Sequence, residues 1–118
     1  MNKLIYLSFM LLLTFPVYAA DVTVVWQRIT EDTSTPPQPV TVTSYNIYVD
    51  GTLNSNFVPT QPTNTNQSVV VSGFVAGSTH TFGVSTVTAA GEGGIGEATL
   101  TIPTGIGKTP TVTVTVNQ

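Results

Sequence analysis

The sequence predicts an all-β protein, and three observations support this prediction. Thr and Val dominate the chain, and both are β-branched residues that favour a pleated strand over a helix. Apolar residues alternate with polar ones in several separate segments, which is the pattern of a strand with one buried face. Segments rich in Gly, Pro and Asn divide these strands at short intervals, and no window has a sustained 3.6-residue period. Short strands with frequent turn signals are typical of a β-sandwich.

The alternating segments place the strands along the chain. Most of them have apolar residues at every second position and are bounded by turn residues. One turn is specific, because Asp50 and Gly51 form a pair typical of a tight hairpin. The predicted strands are 22–27, 40–49, 53–58, 69–74, 79–86, 97–102 and 111–116.

The N-terminal residues 1–19 have the features of a signal peptide. Lys3 gives a positive start, a mostly apolar run extends from Leu4 to Phe15, and small residues precede a cleavage point after Ala19. An apolar run of about twelve residues is shorter than the roughly twenty that a membrane-spanning helix needs. We therefore expect a mature protein without a membrane span, secreted to the periplasm or out of the cell.

The composition excludes several classes of function. Lys and Arg total three scattered residues, so the chain has no basic surface for nucleic acid. Cys is absent, so packing alone must hold a mature domain of roughly 98 residues, a length that suffices for independent folding. The formal net charge is −3, and the acidic residues do not form a long run.

Three polar segments are candidate binding loops, since binding residues concentrate on loops held by a rigid scaffold. They are residues 30–39, 53–66 and 89–96, with a short edge strand at 53–58 in the second. Tyr48 lies on the outward face of its predicted strand and is the aromatic residue that we expect to be exposed. The candidate contact residues are Tyr48, Asn54, Asn56 and Glu92.

The order of these features resembles a fibronectin type III domain. Trp26 in DVTVVWQ matches the Trp of the family's strand B, and Tyr45 in SYNIYVDG matches the Tyr that begins strand C. The segment FVAGSTH, residues 74–80, is similar to the family's approach to strand F, and EATLTIP, residues 97–103, to strand G. The resemblance covers 21–103 and implies an immunoglobulin-like β-sandwich that binds or adheres rather than catalyses.

The chain departs from the family in two places. The family's corner Tyr, whose hydroxyl tethers a loop, corresponds to His80 here, so an imidazole must make that tether or it is lost. The family's first strand has almost no sequence to occupy, because the predicted signal peptide ends where strand B begins. The integrin-binding Arg-Gly-Asp of some relatives is absent from the loop after strand F, so that activity is not carried over.

Residues 104–118 extend beyond the resemblance as a linker and an extra C-terminal strand. Val112, Val114 and Val116 alternate with polar residues and form one apolar face. Such a strand can complete the sheet that lacks its first strand. Three arrangements stay open: pairing within its own domain, pairing with another copy of the chain, and an extra strand or tail without a partner.

Catalytic chemistry has few candidate residues. His80 is the only imidazole, and a Ser–His–Asp arrangement would have to use it. The alternation places His80 inward beside Phe82, which favours a hydrogen-bonded core His over a general base. The pattern Gly91-x-Gly93-x-x-Gly96 matches a dinucleotide-binding motif, but a predicted strand follows it where that chemistry needs a helix. We predict no metal and no cofactor.

We expect a secreted, non-enzymatic binding or adhesion module with a protein or glycan partner at a cell surface. The alternative is a structural subunit of an extracellular assembly, joined by strand addition through residues 111–116. A small hydrolase with His80 as its base is the third hypothesis.

Overall fold

The structure is a computed structural model that describes residues 19–59, 66–104 and 109–116. The predicted signal peptide lies outside these ranges except for Ala19, and so do part of loop 53–66 and part of the predicted linker. Eight strands form within these ranges. The residues in these ranges form no helix that is long and apolar enough to span a membrane. The strands are β1 (Ala19–Gln27), β2 (Ser44–Val49), β3 (Thr52–Phe57), β4 (Asn66–Val75), β5 (Thr79–Thr88), β6 (Gly91–Glu92), β7 (Gly96–Thr101) and β8 (Thr111–Val114).

The strands form two sheets, which confirms the all-β prediction. The first sheet has the order β4-β1-β8, and the second has the order β3-β2-β5, with β6 and β7 both paired to β5. Every pair of strands is antiparallel except β1 and β8, which run parallel. One cluster of buried side chains from both sheets fills the space between them, as in a β-sandwich.

The core follows the alternation that the sequence shows. Val22, Val24 and Trp26 of β1 are fully buried, because every second residue of the strand faces the second sheet. The ring centroid of Trp26 lies 5.2 Å from that of Tyr45 and 5.3 Å from that of Phe57. Aromatic pairs at this separation add about 0.5–1.5 kcal/mol beyond the area they bury. These contacts join β1 to β2 and β3 across the sandwich.

Several strand boundaries differ from the prediction, three of them with consequences for the pairing of strands. Residues 40–43 precede β2 instead of forming its start, although the Thr43 amide still donates to the Val87 carbonyl at 2.8 Å. Residues 66–68, predicted as loop, begin β4 because they pair with the end of β1. Residues 91–92, also predicted as loop, form β6 against β5. In the last two cases pairing with a neighbouring strand outweighs the polar or Gly-rich local sequence.

The C-terminal strand β8 lies on β1 of its own chain. Val112 and Val114 pair with Val24 and Trp26 and are 5% and 1% exposed, so they complete the core. The chain then crosses Gly96 so closely that a Cβ there would lie 1.8 Å from the Thr115 carbonyl oxygen. Of the three open arrangements, the structure places residues 111–114 within their own domain.

Candidate functional site

The outer face of the second sheet carries two rows of side chains that the strand register aligns. The first row consists of Leu53, Tyr48, Gly83 and Glu97, on β3, β2, β5 and β7. The second row consists of Asn56, Asn46 and Ser85. Both rows point away from the core, because the residues that alternate with them on β2, Tyr45 and Ile47, are fully buried. We call these two rows, together with Glu92 and Ile95, the Glu92 face.

Glu92 is the centre of the hydrogen bonding on this face. Its Oε2 accepts hydrogen bonds from Asn46 Nδ2 at 2.7 Å, from Ser85 Oγ at 2.5 Å and from the Tyr48 hydroxyl. Glu92 reaches them because β6 pairs beside Val87 on β5, after a turn that ends at Gly91. Gly91 has a φ of 122°, a conformation that residues with a side chain rarely adopt.

The hydrogen bonds fix the protonation states of Glu92 and Tyr48. The donors of Asn46, Ser85 and Tyr48 lower the pKa of the Glu92 carboxyl from 4.5 to about 2. Donation to this carboxylate, with some burial, raises the pKa of the Tyr48 hydroxyl above its usual value of 10.0. Near neutral pH the site therefore presents an ionised carboxylate and a protonated phenol.

Asn56 orients Asn46 from the neighbouring strand. Its Nδ2 donates to Asn46 Oδ1 at 2.9 Å and to Ser44 Oγ at 3.0 Å. Because Asn46 Oδ1 accepts from Asn56, the amide nitrogen of Asn46 is turned towards Glu92. The exposed carboxylate of Glu92 is thus held by side chains on two strands besides its own, β2 and β5, and Asn56 on β3 orients one of these side chains.

Three of the four predicted contact residues come together, and the fourth does not. Tyr48, Asn56 and Glu92 share the hydrogen-bond network, whereas Asn54 is exposed at a bulge in β3. Asn54 is the extra residue of that bulge, so Leu53 takes the place opposite Tyr48. Asn54 and Asn56 both belong to β3, which corresponds to the short edge strand predicted at 53–58. Tyr48 is half-buried rather than fully exposed.

Apolar side chains lie beside the polar network. Leu53 is 55% exposed and Ile95 is 40% exposed. Tyr48 lies next to Leu53 in the first row, and Ile95 lies over Gly83 on the other side of Tyr48. Gly83 makes room for two of them, since a Cβ there would lie 2.8 Å from Ile95 Cγ2 and 3.3 Å from Tyr48 Cβ. Leu53, Tyr48 and Ile95 thus form an apolar strip next to the fixed carboxylate of Glu92.

Several members of this face were not among the predicted contact residues. Asn46 was detectable, because the alternation of β2 that turns Tyr48 outward turns Asn46 outward too. Ser85 and Leu53 are recognised only once the register is known. No sequence signal singles out Ile95, which lies in a Gly-rich segment.

Charge on the face is negative. Glu97 lies in the same row as Tyr48 and is exposed, as is Glu92. Arg28 is the single Lys or Arg within the described residues, and it lines a separate cavity of about 190 Å³ between the end of β1 and residues 40–43. Among the residues described, no three His, Cys, Asp or Glu side chains are grouped so that they could hold a metal ion.

A second polar cluster surrounds His80, at the corner where the resemblance predicts a tether. His80 Nε2 lies 2.9 Å from Ser78 Oγ, and His80 Nδ1 lies 2.6 Å from Asp50 Oδ2. The Thr81 amide donates to Asp50 Oδ1 at 2.9 Å. The ring packs on Phe74 with centroids 4.9 Å apart, but the side chain is 24% exposed, so it is half-buried rather than a core residue.

This cluster has the residue order of a nucleophile, a base and an orienting acid, but the Ser78 hydroxyl is directed to the backbone. Ser78 Oγ donates its hydrogen to the Val75 carbonyl at 2.5 Å. A neutral imidazole has one N–H, and His80 Nδ1 uses it towards the Asp50 carboxylate, so Nε2 can only accept. A base that activates a serine accepts the hydroxyl proton, but the Ser78 hydroxyl is directed to the Val75 carbonyl instead. The geometry therefore describes a tether, which joins the β2–β3 hairpin to the β4–β5 turn through an imidazole.

Comparison of the chain with protein-family models, with curated proteins and with solved structures finds no significant match. The two-sheet fold and the Glu92 face are thus derived from the structure alone.

Proposed function

We propose that this chain is a secreted, non-enzymatic binding or adhesion module of the fibronectin type III kind, and that it binds its partner through the Glu92 face. The contact between Trp26 and Tyr45 and the imidazole tether at His80 support the proposed family. The signal-peptide features of residues 1–19 support secretion.

The observation that carries this function is the fixed carboxylate beside exposed apolar side chains. Three donors hold Glu92 Oε2, so its position does not depend on a partner. Leu53 and Ile95 remain more than one third exposed next to it. Polar groups held in place on a rigid element, with apolar surface at their side, are what a binding site needs.

The partner is a protein or a glycan at a cell surface. Nucleic acid is a poor partner, because the face carries Glu92 and Glu97 and would repel phosphates. Binding at a sheet face also differs from the expectation that loop tips make the contact. The strands fix the positions of Tyr48 and Asn46 more tightly than a loop would.

Two matched variants test the proposed surface. Leu53 is 55% exposed on the Glu92 face, and Val70 is 56% exposed on the outer side of the first sheet. We expect Leu53→Asp to abolish retention of the mature protein on arrays of immobilised glycans and extracellular proteins, and Val70→Asp to leave retention unchanged. Equal loss in both variants, or no retention of the unmodified protein, would contradict the proposal.

A further inference from the structure

We infer that the Glu92 face binds a neutral glycan, with the C–H face of a sugar ring on Tyr48 and Leu53 and the sugar hydroxyls directed to Glu92 and Asn56. This inference rests on the proposed function and names the class of its ligand.

The spacing of the two rows matches the size of a sugar ring. Neighbouring strands are about 4.8 Å apart, and residues two positions apart on a strand are separated by about 6.7 Å. The first row, which carries Leu53 and Tyr48, therefore lies about 7 Å from the second row. A sugar ring is apolar on its faces and polar around its edge, so a single ring can contact both rows. A lipid chain would make no use of the polar groups of the second row, and a simple ion would make no use of Leu53 and Tyr48 in the first row.

The second argument is the chemistry of the polar row. An ionised carboxylate only accepts hydrogen bonds, while an Asn side chain both donates and accepts. The three donors among the described residues bind Glu92 Oε2 and leave the lone pairs of Oε1 unused. Asn56 is exposed, and the two hydrogens of its Nδ2 are used on Asn46 and Ser44, so its Oδ1 remains as an acceptor. Hydroxyl groups, which donate hydrogen bonds without carrying a charge, are the natural partners of these acceptors.

The third argument is charge. Glu92 and Glu97 are exposed on this face, and the described residues place no Lys or Arg beside them. The carboxylate or sulfate groups of an acidic glycan bound on this face would be repelled by these two carboxylates. The site therefore favours neutral over acidic sugars.

The fourth argument is size. The first row crosses four strands, or three intervals of about 4.8 Å, so the face measures roughly 14 Å by 7 Å. A standard protein interface buries about 800 Å² on each partner, several times the area of this face. One or two sugar rings match the face better than a folded protein does.

The experiment is a titration of ¹⁵N-labelled mature protein, followed by ¹H–¹⁵N correlation spectra. The probes are neutral oligosaccharides of glucose, xylose, mannose and N-acetylglucosamine, acidic oligosaccharides of galacturonate, and a panel of extended peptides. We expect a neutral oligosaccharide to shift the amide signals of Gly83, Ser85 and Ile95, and the acidic ones to leave them unchanged. The signal of Val70, on the other sheet, is the internal control.

Variants then distinguish the loss of sugar contacts from the loss of folding. Loss of one aromatic contact corresponds to about a tenfold weaker affinity, which we expect for Tyr48→Ala. Leu53→Asn changes a side chain that is 55% exposed, so it tests the same strip with little risk to folding. Val70→Asn is its matched control and should bind like the unmodified protein.

Each outcome decides between the two proposals. Neutral sugar binding that Tyr48→Ala and Leu53→Asn weaken supports both. Peptide binding at the same amides without sugar binding, or a preference for acidic sugars, overturns the neutral-glycan inference and leaves the binding function standing. Binding of no probe, or binding that both variants retain, overturns the inference and the proposed contact surface together.

Discussion

His80 Nδ1 lies 2.6 Å from Asp50 Oδ2, so a side chain at the start of β5 holds the turn of the β2–β3 hairpin. Asp50 has a φ of 51° and Gly51 a φ of 81°, which are the left-handed conformations that a tight hairpin turn needs. The same carboxylate accepts the Thr81 amide. One Asp therefore serves both the local turn and the connection between two strands.

The stability that Asp50 contributes should depend on pH. The hydrogen bond from His80, and then that from the Thr81 amide, lower the pKa of the Asp50 carboxyl from 3.8. A group whose pKa is lowered on folding contributes stability above its unfolded pKa and loses it as the pH falls through the folded value. We expect Asp50→Asn to lower the melting temperature at pH 7, and the difference from the unmodified protein to shrink from about pH 5 downward.

Asn is a suitable replacement here, because it tolerates the positive φ of residue 50. Thermal melts of both proteins between pH 7 and pH 2.5 would measure the difference. A difference that stays constant across this range would show that the carboxylate charge contributes nothing.

Glu92 gives a second pH prediction, on ligand binding. Because the pKa of its carboxyl is about 2, the site should keep its charge wherever the domain is folded above about pH 4. The dissociation constant of a bound ligand should therefore be the same at pH 4.5 and pH 7, as measured by calorimetry. Affinity that falls by half near pH 4.5, the usual pKa of a Glu, would mean that the three donors do not hold the carboxylate.

The direction of the Ser78 hydroxyl gives a third prediction. If His80 acts as a tether, Ser78→Ala should lower the melting temperature and leave the hydrolysis of an activated ester such as p-nitrophenyl acetate at the unmodified rate. The loss of one hydrogen-bond partner costs about 1 kcal/mol. Ester turnover that depends on both Ser78 and His80 in variants that remain folded would instead favour the hydrolase hypothesis.

The hydrophobic core can be predicted from the sequence more completely than the candidate site can. Alternation alone predicts the burial of Trp26 and Tyr45, because a strand with one covered face has period two. The turn at Asp50 is predictable from residue types, since few residues adopt positive φ. Both features depend on residues that are near each other along the chain.

The Glu92 face depends instead on the register between strands. Asn46 lies opposite Asn56 on one side and Ser85 on the other. The bulge at Asn54 shifts β3 by one residue and brings Leu53 opposite Tyr48. A one-residue shift has no signature in the composition of β3, so the grouping becomes apparent only with the strands in place.

Gly96 provides the most direct test of how the C-terminal strand is held. A Cβ at this position would lie 1.8 Å from the Thr115 carbonyl oxygen, a separation that requires the backbone to move. We therefore expect Gly96→Ala to displace the end of β8 and to release Val112 and Val114 from the core. Full exposure of two Val side chains costs roughly 1.5–3 kcal/mol each, so the melting temperature should fall by many degrees. Thr99→Ala, on the same strand and exposed, is the control: it loses only the hydroxyl contact with Thr81 at 3.2 Å, so its melting temperature should fall far less than that of Gly96→Ala.

Light scattering on the same proteins distinguishes pairing within the chain from strand exchange. With β8 on its own β1, as in the structure, we expect the unmodified protein to be a monomer, and removal of residues 105–118 to lower its melting temperature without changing its oligomeric state. A dimer or larger assembly that becomes a monomer after truncation or in Gly96→Ala would show that β8 joins neighbouring copies instead. That outcome would favour the structural-subunit hypothesis, because the contacts of Val112 and Val114 with β1 would then be made between chains.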